Sequence, residues 1–467
     1  MNRPQHNKAI GWGALLMALS AHWAIAADSK IITYEDDVKP ILRQHCLKCH
    51  GNDEQKADLN LQSYATLMAG GSAGLVVKAG RPEASILYQA ITDKDEGARM
   101  PPKSPPLPAK HVALINAWIA SGLRQSKSSQ ALSTQPTLTF SPNANAAMKP
   151  QGPPAMPAKL PAIAPVPTRR PLGILALAAS PWAPLAAASG YKHIRLFNTD
   201  TEKEIGKLAF PDGVPHVLKF SSNGAVLLAA GGRPGLSGSV RLYDVKSGKV
   251  IGKFGDELDT VIAAGMSPDQ KIVALGGPGR VVKAYATKTG TELYQITRHT
   301  DWITTIAFSP DGKQIATADR AGNLYLSGAN SGGILLSLTS HKAAVRSLAW
   351  RSDSQLLASA GDDGRLVWWN SQTGFVAMQN TRAHPPSRPE GFTGKLPNGV
   401  LSVDFRQDGL VVSTGRDQHI RTWKTNSVQP HSLTLTSGTP IQVAVGYKGK
   451  KHVIGDSLGI VHFWKLD

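Results

Sequence analysis

The stretch "AFSPDGKQIATAD", residues 307 to 319, joins a tight turn to a short apolar strand. Its Ser-Pro-Asp-Gly core has residues that turns favour, because proline restricts the backbone, aspartate hydrogen-bonds to it and glycine tolerates unusual dihedral angles. The "QIATAD" that follows is short and mostly apolar, as strands are. One such hairpin cannot bury both of its faces, so the segment predicts a β structure that needs similar neighbours to be stable.

Turns of this type recur along residues 172 to 467. The matching segments are "AASPWA", "KFSSNG", "GMSPDQ", "AFSPDG", "AWRSDS", "DFRQDG" and "VGYKGK", aligned at positions 181, 222, 268, 310, 352, 407 and 448. Most intervals are close to the length of a four-stranded propeller blade, and the longest contains residues 380–399, which we expect to form a surface loop. Because each blade buries its faces against its neighbours, we predict an all-β propeller of about seven blades.

Each repeat also carries a third strand that ends in an aromatic residue or its replacement: Phe197, Tyr243, Tyr285, Ser327, Trp369, Trp423 and Trp464. Four repeats place an aspartate before that strand, at Asp319, Asp363, Asp417 and Asp456. We expect these carboxylates to accept hydrogen bonds from turn backbone, and their recurrence favours a structural role over catalysis. The histidines of this region are scattered, so we predict no catalytic residues in it.

Residues 125 to 171 differ from both flanks. They are rich in Ser and Gln at first and then in Pro, through "MKPQGPPAMPAKLPAIAPVPTRRP", and they contain no acidic residue. No apolar period is sustained, so the sequence predicts an extended, semi-rigid linker that spaces two domains.

Residues 1–26 have the pattern of a secretory signal peptide. Arg3 and Lys8 precede the apolar run "AIGWGALLMALSAHWAIA", whose final "AIA" is a small-x-small cleavage pattern. The run is near the shortest length that crosses a bilayer, so an uncleaved membrane anchor is the alternative. We expect cleavage, and a mature protein that is periplasmic or otherwise exported and soluble.

The formal net charge is +18, of which +10 lies in residues 172–467 and +1 in residues 27–124. No base-stacking or groove-binding motif accompanies this excess, so we do not predict nucleic-acid binding. We interpret the charge as favouring solubility and contact with anionic surfaces.

The only 2 cysteines of the 467-residue chain lie in "RQHCLKCHGN", residues 43 to 52. The spacing Cys46-x-x-Cys49-His50 admits three interpretations: a haem bound by two thioethers with His50 as axial ligand, a redox dithiol, or half of a zinc site. Zinc normally takes four protein ligands and no second ligand cluster follows, while a redox dithiol is typical of a βαβ context that the flanks lack. We therefore favour haem attachment. The predicted export agrees with it, because haem is attached to such motifs outside the cytoplasm.

Residues 27 to 124 predict a small helical domain around this motif. Thr33 and Asp36 form a start like a capping box, and apolar residues at i, i+3 and i+4 follow on one face. A closing helix is predicted from about Pro108 to Ser121. Between the two helices the sequence predicts mostly loop.

Met100, in "EGARMPPKSPPLP", is the favoured second axial ligand. A thioether sulfur in that position stabilises ferrous iron and raises its reduction potential. Pro101 and Pro102 restrict the backbone beside it, which would hold the sulfur in place. Met68 and His111 compete for the role, but Met68 fits an apolar helical position and His111 lies near the start of the closing helix.

Residues 31 to 124 resemble the planctomycete-type cytochrome c domain, a class I variant. The resemblance rests on "ITYEDDVKPILRQHCLKCHG", "LVVKAGRPEASILYQAI", "RMPPK" and "HVALINAWIASG", which occur in order. It implies one covalent haem c, with Cys46 and Cys49 forming the thioethers, His50 the proximal iron ligand and Met100 the distal iron ligand.

The repeats resemble the WD-repeat family in a degenerate form. Only Tyr243-Asp244 keeps an aromatic residue followed by Asp, and the usual Gly-His pair is reduced to lone histidines such as His299 and His341. The resemblance implies a seven-bladed propeller but casts doubt on the hydrogen-bond network within each blade. The chain is thus expected to be multidomain, with these parts: signal peptide (1–26), small all-α cytochrome c domain (27–124), Pro-rich linker (125–171) and all-β WD-repeat propeller (172–467).

Two functional interpretations follow. The first is an exported electron-transfer protein with a His/Met-ligated haem, whose propeller docks an unidentified redox partner protein. The second is an interaction protein whose haem senses redox state or a small gas. We do not predict an enzyme, because no distal acid or base can be named, although peroxidase-like activity is left open.

Overall fold

The computed structural model describes residues 31–72, 74–129, 140–142, 146–158, 160, 163, 172–386, 398–435, 438–449 and 451–465. The chain forms two compact units, Met1–Thr134 and Gln135–Asp467. The predicted signal peptide and most of the predicted loop 380–399 lie outside the described residues. In the described ranges, no helix is both long enough and apolar enough to span a bilayer.

The first unit is helical. A π-helical turn, Tyr34–Val38, continues into helix α1, and two 3-10 turns, Lys56–Asp58 and Pro82–Ala84, lie between the later helices. The α-helices are α1 (Lys39–His45), α2 (Tyr64–Ala69), α3 (Ile86–Thr92) and α4 (Ala109–Ala120). Helix α4 confirms the predicted closing helix, whereas α2 and α3 occupy a region for which the sequence predicted mostly loop.

Thr33 caps the first helix, as predicted, but with a different reciprocal partner. Its Oγ1 accepts a hydrogen bond from the backbone N–H of Asp36 at 3.1 Å. The carboxylate that accepts from the N–H of Thr33 belongs to Asp37, at 2.9 Å. Because the π turn is one residue wider than an α turn, the reciprocal position is shifted by one residue.

The core of the first unit joins the first and last helices. Trp118 of α4 is fully buried, and its ring lies 6.0 Å from the ring of Tyr34. Their polar atoms are satisfied by backbone, since the Trp118 indole donates to the carbonyl of Arg124 and the Tyr34 hydroxyl donates to that of Leu61. The cysteine motif at the end of α1 is therefore anchored to α4 through this core.

The second unit contains seven antiparallel sheets in which strands follow one another in sequence order, as expected of a seven-bladed propeller. Blades 1 to 3 contain β1 to β12: Leu177–Ala179, Leu185–Gly190, His193–Asn198, Lys203–Ala209, Val214–Phe220, Val226–Arg233, Ser237–Asp244, Val250–Glu257, Ala263–Met266, Ile272–Gly276, Val282–Ala286 and Glu292–Ile296. Blades 4 to 7 contain β13 to β27: Ile303–Phe308, Gln314–Asp319, Leu324–Gly328, Ile334–Leu338, Val345–Trp350, Leu356–Gly361, Leu366–Asn370, Val376–Asn380, Val400–Phe405, Val411–Gly415, His419–Trp423, Pro430–Leu435, Pro440–Val445, Lys451–Asp456 and Val461–Lys465. Six blades have four strands, and in its described part blade 7 has three.

Blades 7 and 1 close the ring without a shared strand in the described residues. The backbone N–H of Ile174 donates to the carbonyl of Asp456 at 2.9 Å. Lys451 forms an ion pair with Glu202 at 2.7 Å between Nζ and Oε1. This junction therefore combines one backbone hydrogen bond with side-chain contacts.

Part of the predicted linker packs against the propeller. Phe140 and Ala155 are buried in two of its apolar clusters. Leu160 lies over β4, where its Cδ1 is 2.5 Å from the position that a Cβ on Gly206 would occupy. The linker was predicted to be a spacer because its Pro-rich sequence lacks an apolar period, but three isolated apolar residues are enough to attach it to the blades.

Replacing Leu160 with alanine should destabilise the propeller. The side chain fills the gap left by the missing side chain of Gly206, but it is only half-buried, so we expect a loss of about 1–3 kcal/mol in the free energy of unfolding. Guanidinium unfolding followed by circular dichroism measures it. Met148→Ala is the matched control, since Met148 is 62% exposed and its loss should change the free energy by less than about 0.5 kcal/mol. Equal effects of the two substitutions would contradict the packing role of Leu160.

Candidate functional site

The predicted cofactor motif forms one tight turn at the end of α1. The N–H of Cys46 donates to the carbonyl of Leu42 at 2.8 Å and so continues the helical pattern by one residue. The carbonyl of Cys46 accepts from the N–H of Cys49 at 3.2 Å and from that of His50 at 3.0 Å. The structure thus brings the two thiols and the imidazole, three of the four predicted site residues, into a single turn.

The two cysteines are free and half-buried, with no disulfide between them. Burial raises the pKa of the Cys46 thiol to about 11. A dithiol that exchanges disulfides needs a thiolate of lowered pKa, so the surroundings of Cys46 do not suit the redox-dithiol interpretation.

The first unit contains three buried imidazole nitrogens without hydrogen-bond partners in the described residues. They are Nε2 of His45, Nδ1 of His50 and Nδ1 of His111. An unpaired buried polar atom costs about 1–3 kcal/mol, so these atoms favour a bound group that supplies the missing interactions. The donor chemistry of two free thiols and an unpaired imidazole in one turn fits a haem attached at this motif.

His45 and His111 lie close together, with ring centroids 5.5 Å apart. Burial lowers the pKa of His111, and the neighbouring charge of His45 lowers it further. The sequence suggested His111 only as a competing ligand and gave His45 no role, although His45 directly precedes the first cysteine. Their proximity depends on the packing of α1 against α4, and the spacing of the cysteine motif cannot predict that packing.

Met100 lies on the loop between α3 and α4. Its N–H donates to the carbonyl of Ala90 at 2.8 Å, and its residue surface is 40% exposed. Met68, the competing methionine, instead packs against the apolar core of the unit. Met68 therefore packs in the way that its apolar helical position suggested, whereas Met100 is partly exposed on its loop.

A surface cavity of about 650 Å³ lies between α3 and α4. Ile91, Leu107 and Val112 form part of its apolar wall, and Arg99, which precedes Met100, also contributes. None of the residues of the cysteine motif lines this cavity. The structure therefore places the Met100 loop beside an open cavity but does not bring Met100 and the cysteine motif into it together.

The propeller retains a hydrogen-bond network that the degenerate repeats had put in doubt. In blade 5, Nδ1 of His341 lies 3.1 Å from Asp363, and its Nε2 lies 2.7 Å from Ser359 Oγ. The Trp369 indole donates to the same Ser359 oxygen at 2.8 Å. Blade 6 repeats this network at His384, Asp417, Ser413 and Trp423, and blade 4 repeats it without the tryptophan at His299, Asp319 and Thr317.

The aspartates of these networks stabilise the turns in which they lie. Burial alone would raise the pKa of Asp363, but the hydrogen bond from His341 and its charge hold that pKa below the usual range. The ionised carboxylate also accepts from the backbone N–H of Lys342 and Arg365. The recurring aspartates thus hold the turns together, in the role that the sequence predicted for them.

Comparison with protein-family models gives two matches. Residues 46–104 match the family described as planctomycete cytochrome C, a range that includes the whole cysteine motif and Met100. Residues 290–326 and 332–370 match the WD domain, G-beta repeat, from the turn before β12 to the end of β19. A search of curated proteins found no significant match. Both family matches fall on the regions whose motifs the sequence resembles.

Proposed function

Since this chain joins a planctomycete-type cytochrome c domain to a seven-bladed WD-repeat propeller, we propose that it is an exported electron carrier that docks a redox partner protein. The turn that joins Cys46, Cys49 and His50 carries this proposal, because two free thiols beside an unpaired imidazole nitrogen suit covalent haem attachment. The cytochrome c family favours electron transfer over catalysis.

We assign a role to each of the four residues. Cys46 and Cys49 would hold the haem through thioether bonds, while His50 and Met100 would be the two axial ligands of its iron. When bound, the haem would take up and release one electron. The chain contributes a fixed turn for the first three residues and a half-exposed thioether on a separate loop for the fourth.

The other parts of the proposal rest on the sequence and the propeller family. Residues 1–26 would direct export, most simply to a periplasm, and be removed. WD-repeat propellers generally mediate protein interactions, so the second unit would dock the partner. The excess charge of residues 172–467 would favour partners or surfaces of negative charge.

Replacing Met100 with alanine should change the haem spectrum without releasing the haem. A low-spin protein with a weak sulfur-to-iron band should become high-spin and lose that band, because the sixth ligand is removed. The reduction potential should also fall, since a thioether favours ferrous iron. Met68→Ala is the control, because Met68 packs in the core and should leave the band unchanged. A band that survives in Met100→Ala would remove Met100 from the ligand set.

The carrier function is tested by redox titration of the holoprotein produced in a host that attaches haem. A single reversible one-electron step supports it. The absence of any reversible step would contradict it, whichever residue binds the iron.

The exposure of Met100 favours one alternative, a sensor whose iron site opens to a small gas. Carbon monoxide added to the reduced native protein separates the two functions. Refusal to bind without denaturant supports the carrier, while rapid binding by the wild-type chain supports the sensor.

A further inference from the structure

The inner strands of the propeller surround a channel with a cavity of about 600 Å³. Its lining includes His216, Lys219, Thr304, Ser347 and Asp404, so it combines charged and polar residues with apolar ones. A cavity of this volume is within the range that binds small molecules.

Two charged residues of this lining replace small residues. Lys219 in β5 and Asp404 in β21 each stand one residue before the last residue of their inner strand. The corresponding residues of the other five repeats are all alanine or glycine: Ala178, Gly265, Ala307, Ala349 and Ala444. Because blades 2 and 6 are separated by three blades in one direction and two in the other, the two residues arise from strands on nearly opposite sides of the ring, and the Lys219 side chain extends across to blade 4.

Lys219 is partly buried and incompletely paired. Its Nζ donates to the carbonyl of Ile306 in blade 4. An ammonium group has three N–H donors, and in the described residues the Ile306 carbonyl is the one acceptor that this ammonium group has. Burial lowers the pKa of Lys219 to about 8, so it stays mostly protonated at neutral pH.

Asp404 provides the negative charge of the channel. Its two oxygens accept from the N–H of Phe405 and of Val445, both at 2.9 Å. Burial raises the pKa of Asp404 to about 6, so it is mostly ionised at neutral pH. Lys219 and Asp404 affect one another electrostatically but do not form an ion pair with each other in the described structure.

The other charged groups of the channel are already compensated. Arg346 and Arg416 both bind the carboxylate of Asp362. Burial lowers the pKa of His216, which leaves it neutral at neutral pH. Among the described residues that line the cavity, Lys219 and Asp404 are therefore the two charges without an opposite charge in contact. Separated, partly buried charges of this kind are costly unless something pairs with them.

We propose that the propeller channel binds a small zwitterion of the amino-acid class, whose carboxylate pairs with Lys219 and whose ammonium group pairs with Asp404. A simple anion would satisfy Lys219 but would be repelled by Asp404, and a simple cation would have the reverse defect. This site is separate from the haem motif and does not depend on the proposed electron-transfer function.

Isothermal titration calorimetry on the full chain at neutral pH tests the proposal. The probes are glycine, 4-aminobutanoate and 6-aminohexanoate, which separate the same two charges by increasing lengths, together with butanoate and butylamine as single-charge analogues. We expect one of the amino acids to bind about tenfold or more tightly than either analogue, because each analogue loses one charged pair. No binding by any amino acid, or equal binding of amino acid and analogues, would overturn the proposal.

Two nearly isosteric variants test whether Lys219 binds the carboxylate of the ligand and Asp404 binds its ammonium group. Lys219→Met should weaken the best amino acid about tenfold or more, and Asp404→Asn should weaken it while improving the binding of butanoate. Lys313→Met is the control, because Lys313 is exposed on the turn after β13. Circular dichroism checks that each variant is folded. Affinity unchanged in both folded variants would place binding elsewhere and overturn the assignment.

Discussion

A chain in which Cys46 and Cys49 are both replaced by alanine is expected to carry no covalently attached haem. Each thiol would form its thioether by adding its S–H across a vinyl group of the porphyrin, so the two sulfurs are the only covalent links that the motif offers. His50 remains in this variant, but its coordination bond to the iron would be lost on denaturation and would not keep the haem on the chain. Mass spectrometry of the denatured protein should therefore change from one haem per wild-type chain to none.

The control for this experiment lies inside the same turn. Lys48→Ala leaves the Cys-x-x-Cys-His spacing intact, and its exposed side chain makes no contribution to the core, so it should keep a full haem content. Haem retained by the double cysteine variant would contradict thioether attachment. A wild-type chain without covalent haem, produced in a host that attaches it to other proteins, would return the motif to its dithiol interpretation.

Replacing Asp319 with alanine is expected to cause one of the largest losses of propeller stability from a single substitution. The residue is fully buried in blade 4. One of its oxygens accepts from the N–H of Ala321 and of Asn323, at 3.0 and 2.9 Å. The other lies 3.1 Å from His299 Nδ1 and 2.8 Å from the Asn323 amide. Because alanine leaves several buried donors unpaired, we expect the free energy of unfolding to fall by about 3–5 kcal/mol.

Asp311→Ala is the matched control for that prediction. Asp311 also accepts local hydrogen bonds in blade 4, but it lies on an exposed turn, so its loss should cost about 1 kcal/mol or less. Denaturant unfolding at pH 7 measures both variants. Equal losses would show that the buried network adds nothing beyond an ordinary turn.

The difference between the wild type and Asp319→Ala should also depend on pH. Burial would raise the pKa of Asp319, but the hydrogen bonds from His299 and Asn323 outweigh it and hold that pKa below its usual value. A carboxyl group whose pKa is lower in the folded state stabilises the protein above its unfolded pKa, about 4, and loses that contribution as the pH falls through the folded value. The stability gap should therefore be constant near neutrality and narrow below about pH 4.

Local patterns predicted most of the fold and the cysteine turn. The seven aligned turns located the blades because a turn depends on residues adjacent in sequence, as when Ser309 and Asp311 bond within one hairpin. The same holds for Cys46 to His50, whose spacing alone places three side chains on one turn. The seven antiparallel sheets and the family matches agree with both interpretations.

Contacts between distant segments could not be predicted in this way. The partner of His341 is 22 residues away in sequence, and nothing in either segment alone reports that the two will meet. Leu160 is equally uninformative in a Pro-rich stretch until the empty site over Gly206 is known. Lys219 and Asp404 had a signal, since they break a series of small residues, but that signal acquires meaning only once the inner strands are arranged around a channel.

The junction between blades 7 and 1 has a consequence for the topology of the propeller. Ile174, just before the first strand, binds Asp456 of the last blade, so the start of the ring lies beside its end. Proteins whose termini are neighbours tolerate circular permutation. In such a permutant, the first and last blades would be linked covalently across this junction, and the chain would be opened between two other blades. Every blade and both neighbours of each blade should be kept. The choice of the blade that comes first in the sequence is therefore independent of the arrangement of the blades around the channel.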